Sequence, residues 1–495
     1  MIAATIETQA IEKLNRIFQL QKEAYLKDPF PSAEKRIELM QRVPTMLKEY
    51  RSKIHQALHE DFDYHSTEVA DLFEIVGMFD RAKFNIDHVK KWMKPIAKAG
   101  NPVTQGASKQ YIQYHPKGVV GNMVSWNFPF DIAIGPMLDQ LGAGDRVIIK
   151  PSDLSPACGA VLEEMIGKYF DEDQVAVVNG DIELAKYFPT LAWDHLIYTG
   201  SGPIGKLIMK AAAENLVPVT LELGGKNPAI VAPDATNEET ASTIARIKVV
   251  KRGQICVNTD YVLVPEDKKD AFVKMTVDYM RKHFEEENAR EQTCGIITQR
   301  HIDRLQGLVE DARERGLTVH QIGKDTEGEN RDMPFFVIEN PPMDAAVMQE
   351  EIFGPILPIK TYKTTQDAID FVNNGDWPLG LYIFSKDKKF IDQVTKNTAS
   401  GGVAINIVAL QAAQPSMGFG GVGASGMGRH HGEEGFREFS YPRGYFDAGK
   451  GGTLDWIMPP FGKNTKKLIN EVAYAPFGKQ LKFALSRLPN ILFRK

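Results

Sequence analysis

Short apolar runs at 119–124, 147–149, 175–178 and 196–198 alternate with segments of helical character. Runs of this length fit strands buried on both faces, and strands that alternate with helices read as βαβ units in a mostly parallel sheet. A second alternating region spans 217 to about 406, with helices expected near 235–251, 266–285 and 298–315. Residues 8–95 instead read as helices. Ser32 can cap the second, followed by Ile37, Met40, Val43, Leu47, Ile54 and Leu58 at roughly helical spacing. Pro44 is expected to kink or break that helix. Residues 107–114 alternate weakly and read as an exposed strand.

At 495 residues the chain is too long for one typical core, so two or three domains are expected. Apolar and charged fractions of 43% and 25% are those of a soluble globular protein, and a net charge of −5 does not point to nucleic acid. The three cysteines, Cys158, Cys256 and Cys294, cannot all pair and show no zinc spacing, which suits a reducing compartment. The first residues lack a basic start followed by an apolar run, and no stretch approaches 18 uninterrupted apolar residues. The expected location is the cytoplasm.

Cys256 ends Gly253-Gln254-Ile255-Cys256, and Glu222 stands in Leu221-Glu222-Leu223-Gly224-Gly225-Lys226. A thiol and a carboxylate, each beside glycines that let the main chain approach a ligand, are the parts needed for covalent chemistry on a carbonyl. The thiolate attacks and the carboxylate later activates water. A free cysteine is more often a packed thiol, and Cys158 and Cys294 are read that way. Glu222 lies in the largely apolar stretch 217–223, where partial burial raises a carboxyl pKa toward the working range of a base. Asn127, in Ser125-Trp126-Asn127-Phe128-Pro129, is either a turn asparagine or a fixed amide donor at a strand end. Gly200-Ser201-Gly202-Pro203-Ile204-Gly205 satisfies G-x-G-x-x-G between a strand and a helix, so it can cradle a pyrophosphate; a plain tight turn is the alternative. On that motif alone Glu222 would go to the cofactor ribose. Lys150-Pro151-Ser152-Asp153 follows the second run, where a lysine and an acidic neighbour can bond ribose hydroxyls.

From about residue 10 to 446 these segments resemble the aldehyde dehydrogenase superfamily. Its Thr-Gly-Ser-x-x-x-Gly stretch is matched by Thr199, Gly200, Ser201 and Gly205, and its Glu-Leu-Gly-Gly-Lys motif begins at Glu222. Glu350-Glu351-Ile352-Phe353-Gly354-Pro355 is a further signature. So is the segment from Gly418-Phe419-Gly420-Gly421 through Ser425-Gly426-Met427-Gly428 to Gly435-Phe436, with Gly418 where proline is usual. The resemblance implies that Cys256 is the nucleophile and Glu222 the general base, not a ribose ligand. It makes Asn127 and the Cys256 backbone N–H the oxyanion donors. It directs Lys150, Ser152, Asp153, Thr199, Gly200, Ser201, Gly205, Leu223 and Gly224 toward the cofactor, with Glu351 on the nicotinamide ribose and Phe353 against the ring. Glu350 and Glu351, as strand neighbours, would face opposite sides. His430 and His431 are left structural. The implied cofactor is NAD; Asp153 is one methylene shorter than the usual glutamate, which leaves NADP open.

The implied fold is α/β: a Rossmann-like cofactor domain over 1–220, a catalytic α/β domain over 221–405, a return segment and oligomerisation strand over 406–450 joined by 100–116, and a basic tail over 451–495. A homodimer with no metal is implied. Cofactor enters along the sheet edge and aldehyde from the opposite side. Residues 378–385 and 429–440 look most like the class 3 branch and its coniferyl-aldehyde dehydrogenases, which implies a hydroxycinnamyl aldehyde as substrate; a medium- or long-chain alkanal is the alternative. Phe128, Phe130 and Phe419 would suit either, and would equally suit core packing. The Ala- and Gln-rich loop 408–417 departs from the family pattern at the substrate funnel. A CoA-acylating enzyme would usually lack a base at Glu222, and a silent scaffold would have lost Cys256, Asn127 or Glu222. From residue 461 the tail carries Lys463, Lys466, Lys467, Lys479, Lys482, Arg487, Arg494 and Lys495 against Glu471, with Leu481, Phe483, Leu485 and Leu488 among them. A membrane-surface contact is one reading, but Pro476 and Pro489 interrupt any long amphipathic helix, so a tail wrapped on its own subunit or on the dimer partner is preferred.

Overall fold

The computed structural model describes residues 2–100, 108–285, 291–324, 331–449, 456–476, 478–479 and 482. The N-terminal region is helical, as its periodicity predicts: α1 is Ile2–Lys27, α2 is Ala33–Phe62 and α3 is Gly77–Trp92. The Ser32 hydroxyl accepts from the Lys35 N–H at 3.2 Å and caps α2. Of the kink or break expected at Pro44, the break does not occur: α2 runs through it. A proline costs roughly 3 kcal/mol in a helix interior. Leu39, Met40, Val43, Met46, Leu47 and Ile54 are buried along the same helix, and full burial of each such side chain contributes about 1.5–3 kcal/mol, which outweighs one proline. Between α2 and α3 the chain forms Thr67–Ala70 and a π-helical stretch, Asp71–Val76.

The chain divides into two compact units. The smaller comprises residues 90–115 and 440–495 and carries a three-stranded sheet: β1 (Ile96–Lys98), β2 (Lys109–Pro116) and β16 (Ser440–Asp447), in that order. Strand β2 is the one expected at 107–114. Tyr111 stacks on Tyr445 with ring centroids 4.7 Å apart, and the His115 Nε2 lies 2.9 Å from the Tyr445 hydroxyl. A short helix, Lys463–Ile469, follows in the tail; the tail's apolar positions Leu481, Phe483, Leu485 and Leu488 lie outside the described residues. Among the described residues no helix is long and apolar enough to cross a membrane.

The larger unit, residues 1–89 and 116–439, holds two further sheets. The first contains β3 (Val119–Met123), β4 (Arg146–Lys150), β5 (Val175–Val177), β6 (His195–Thr199), β7 (Val219–Glu222) and β15 (Gly426–Met427). Their order is β15-β7-β6-β3-β4-β5, parallel except for β15. Strand order reverses between β3 and β6, the switch point beside which parallel sheets bind ligands at their carboxyl ends. Lys150, Thr199 and Glu222 are the last residues of β4, β6 and β7, and Asn127 lies in the segment after β3. Helix α4 (Asp131–Ala143) follows β3, and α5 (Gly202–Ala213) follows β6.

The second sheet contains β8 (Pro228–Val231), β9 (Tyr261–Pro265), β10 (Val319–Ile322), β11 (Phe335–Glu339), β12 (Ile356–Tyr362), β13 (Gly380–Phe384) and β14 (Gly402–Ile405). Their order is β10-β11-β12-β9-β8-β13-β14, parallel except for β10. The helices expected near 235–251, 266–285 and 298–315 are Glu238–Val249, Lys269–Phe284 and Gln299–Glu314. Two apolar clusters, one around Leu263, Leu305 and Ile383 and one around Val262, Phe272 and Tyr382, draw on alternate residues of the same strands and so cover its two faces.

Candidate active site

Lys251, Arg252 and Gly253 have φ of 49°, 51° and 76°, and turn the chain sharply after the helix Glu238–Val249. Such values are uncommon outside glycine and persist only where the surroundings hold them. The Lys251 ammonium donates to Glu74 Oε1 at 2.9 Å and to the Asn127 carbonyl, and the Arg252 Nε donates to the Tyr64 hydroxyl at 2.8 Å. At Gly253 a Cβ would collide with the Gly354 carbonyl. The Gln254 amide donates to the carbonyls of Lys251 (2.9 Å) and Gly295 (3.0 Å) and accepts from the Ile297 N–H (3.1 Å). Asn227 donates to the carbonyl of Cys256 at 2.7 Å and accepts from the Gly380 N–H at 2.8 Å. The loop is thus pinned on both sides of Cys256, which is half-buried on a cavity wall, while Cys158 and Cys294 are fully buried. Burial, then the nearby carboxylates of Glu351 and Glu222, push the Cys256 thiol up to about 12.

Glu222 is the last residue of β7 and is 3% exposed. Neither carboxylate oxygen has a hydrogen-bond partner, and burial raises the group well above the ordinary carboxylate range. Asn127 is also buried, and its side-chain N–H donates to the Gln254 carbonyl at 3.2 Å. A cavity of about 710 Å³ is lined by Cys256, Glu222 and Asn127 together, and by Leu223, Gly224, Glu351 and Phe353.

A second cavity, of about 720 Å³, is lined by Lys150, Ser152, Asp153, Thr199, Gly200 and Ser201. Both cavities share Ser125, Trp126, Thr199, Gly200, Ser201 and Pro203, so one cleft leads from Lys150 to Cys256. Helix α5 begins on that shared wall, and Ser201 at its N-cap makes no side-chain cap, which leaves the first amides to a ligand. The buried Lys150 ammonium is held by the Pro151 carbonyl at 2.9 Å and reaches Gly180 at 3.4 Å. Gly205 lines neither cavity. It faces β7, where a Cβ would stand 2.8 Å from a Leu223 methyl, so its part is close packing of helix on strand. Glu351 lies over Gly224, where any Cβ would overlap its carboxylate, and burial, then Asp260, lifts it to about 8. Glu350 accepts from Arg304 at 3.1 Å. The two carboxylates lie in a loop and not on the expected strand, and both residues line the Cys256 cavity. Phe353 (φ 49°) packs edge-on against Trp126 at 5.4 Å.

A third cavity, narrower at about 150 Å³, is also lined by Cys256 and Glu222. Its apolar wall includes Phe73, Phe128, Ile132 and Phe419, and the loop 408–417 contributes Ala409, Leu410, Ala412 and Ala413. Phe130 is not on it; the ring is fully buried in the core. Four polar side chains share the lining: Arg81, Asp131, His430 and His431, the two histidines packed on Phe419. None of these four was singled out as a site residue from sequence. Arg81 comes from α3 and Asp131 opens α4, so no local motif joins them, and adjacent histidines read as structural. His430 Nε2 in fact lies 4.0 Å from Glu222 Oε1.

The profile of the aldehyde dehydrogenase family matches residues 3–444. This chain belongs to that family. The enzyme is 37% identical over 482 residues to the coniferyl aldehyde dehydrogenase of Pseudomonas sp. strain HR199, with 96% of each chain covered. Among solved structures, the dehydrogenase resembles the substrate-bound AldH of Staphylococcus aureus at a TM-score of 0.84 and 31% identity, covering 96% of this chain and 99% of that one. It also resembles an aldehyde dehydrogenase of Mycobacterium tuberculosis complexed with NAD+, at a TM-score of 0.79 and 25% identity, covering 88% and 90%. The enzyme is an NAD(P)-dependent oxidoreductase acting on aldehydes. The start of α5, with no side-chain cap, and the Lys150 strand end line the same cavity, and uncapped helix amides suit a phosphate.

Proposed function

We propose that the enzyme oxidises an aromatic, hydroxycinnamyl-type aldehyde to its acid with NAD, with Cys256 as nucleophile, Glu222 as hydrolytic base and Asn127 and the Cys256 N–H as oxyanion donors. The observation that carries this reading is the meeting of Cys256, Glu222 and Asn127 on the lining of one cavity, with a smaller cavity opening on Cys256 and Glu222 as well. The Cys256 sulfur adds to the aldehyde carbonyl, and the oxyanion is held by donors fixed before charge develops. When bound, NAD accepts the hydride and brings a positive ring that favours the neighbouring thiolate. Glu351 and Phe353 on the cleft wall would orient that end of the cofactor, and Lys150, Ser152, Asp153, Thr199, Gly200, Ser201, Leu223 and Gly224 would hold the remainder, with Gly205 packing behind them. Loss of hydride leaves a thioester on Cys256. Glu222 then takes a proton from water, the new C–O bond forms, the C–S bond breaks, and the acid departs.

The coniferyl aldehyde named for the Pseudomonas relative supports an aryl substrate. So does the smaller cavity: rings of Phe73, Phe128 and Phe419 suit a planar body, while the paired Arg81 and Asp131 in the same lining would meet no polar partner on a plain alkyl chain. The six-stranded sheet and its helices form the cofactor domain and the seven-stranded sheet the catalytic domain in this reading. The three-stranded unit mediates a homodimer, measurable by light scattering. The deciding experiment follows NADH absorbance with coniferyl aldehyde, cinnamaldehyde, benzaldehyde, hexanal and a long alkanal, using NAD and NADP, with and without CoA. Preference for the hydroxycinnamaldehyde, independent of CoA, is expected. Preference for long alkanals would overturn the substrate assignment and keep the chemistry.

A further inference from the structure

We propose that His430 is a positioning residue for hydrolysis of the acyl-enzyme, holding the attacking water in register with Glu222. The inference rests on the reading of Glu222 as the hydrolytic base. Both oxygens of that buried carboxylate lack a hydrogen-bond partner, and His430 Nε2 is 4.0 Å from Oε1. That separation is too long for a direct hydrogen bond and is one that a single water spans. The ring also lines the smaller cavity with Cys256, so a water beside it faces the thioester.

The ring is held for this task. Main-chain bonds run both ways between His430 and Phe419 at 2.8 Å, and its faces and edges meet Phe419 (5.4 Å, 84°) and His431 (4.3 Å, 88°). Its Nδ1 has no partner. The charged groups acting on Glu222 are Arg429 and Glu438; Arg81, from α3, acts on His430 and His431. Burial, then Arg81, lower the His430 ring to about 3, so it is neutral at working pH and donates from one nitrogen only. With Nε2–H donating to the water oxygen, one water hydrogen goes to Glu222 Oε1 and a lone pair is left for the thioester carbon. The C–O bond forms as Glu222 takes the proton, the C–S bond then breaks, and the electron pair returns to sulfur. His430 gains and loses no proton.

An activated ester isolates this half-reaction, because p-nitrophenyl acetate acylates a reactive thiol without cofactor. Nitrophenolate release then shows a burst for acylation and a steady rate for hydrolysis. In H430F the burst is expected to persist while the steady rate falls at least ~10-fold, and an acetyl adduct on Cys256 accumulates in the intact mass. H430Q, which keeps a donor, recovers part of the rate, and added imidazole rescues H430A. Wild-type hydrolysis in H430F, or slow hydrolysis that neither H430Q nor imidazole improves, overturns the proposal. E222Q separates the two readings. If E222Q hydrolyses the adduct normally, the assignment of Glu222 falls and the proposal with it; if E222Q is slow and H430F is not, only the role of His430 falls.

Discussion

Glu222 ends a parallel strand with a carboxylate that no donor satisfies, and burial raises its pKa well above the ordinary range. A base works in its deprotonated form, so hydrolysis of the acyl-enzyme is expected to speed up as pH rises through that raised value. In E222Q this limb of the profile disappears and a thioester accumulates, visible by mass spectrometry after one turnover. Cys256→Ala is expected to reduce acid production to background while NAD binding, followed by calorimetry, is retained. Both residues could be singled out from sequence because each sits in a short glycine-flanked motif, and the structure brings the two to one cavity. His430 could not. It reaches Glu222 through the antiparallel pairing of Gly426 with Glu222, a contact between residues some two hundred positions apart that leaves no local signal.

At the scale of elements, one buried ion pair ties three pieces of chain together. Glu74 lies in the π-helical stretch after α2, accepts from the Phe130 and Asp131 N–H groups at the start of α4 (3.1 and 3.0 Å), and binds Lys251 in the turn that presents Cys256. Neither charged side chain has any solvent exposure. Removing one partner of such a pair strands the other charge, so E74Q is expected to lower unfolding free energy by about 3–5 kcal/mol in urea titrations. It should also lower kcat, because Lys251 anchors the Asn127 carbonyl. The sequence shows Glu74 and Lys251 only as two charges far apart. Strand positions, by contrast, were readable because a strand buried on both faces is an uninterrupted apolar run. A break at the proline in α2 does not occur because the packed stripe around it outweighs the local cost.

Across the whole molecule, titration of buried groups reaches stability. Glu351 is lifted from its ordinary 4.5 to about 8. Between those values the folded chain keeps a proton that the unfolded chain has released, so stability falls as pH rises through this window. E351Q is expected to flatten that part of the Tm-versus-pH curve, measured by scanning calorimetry. The two cavities that open on Cys256 share Thr199, Glu222, Leu223 and Cys256 in their linings and no other residue. On the proposed reading, dinucleotide and acyl group occupy separate rooms with one common doorway at the thiol. Added carboxylic acid is then expected to compete with aldehyde and leave the apparent affinity for NAD untouched, a pattern that product-inhibition plots display directly.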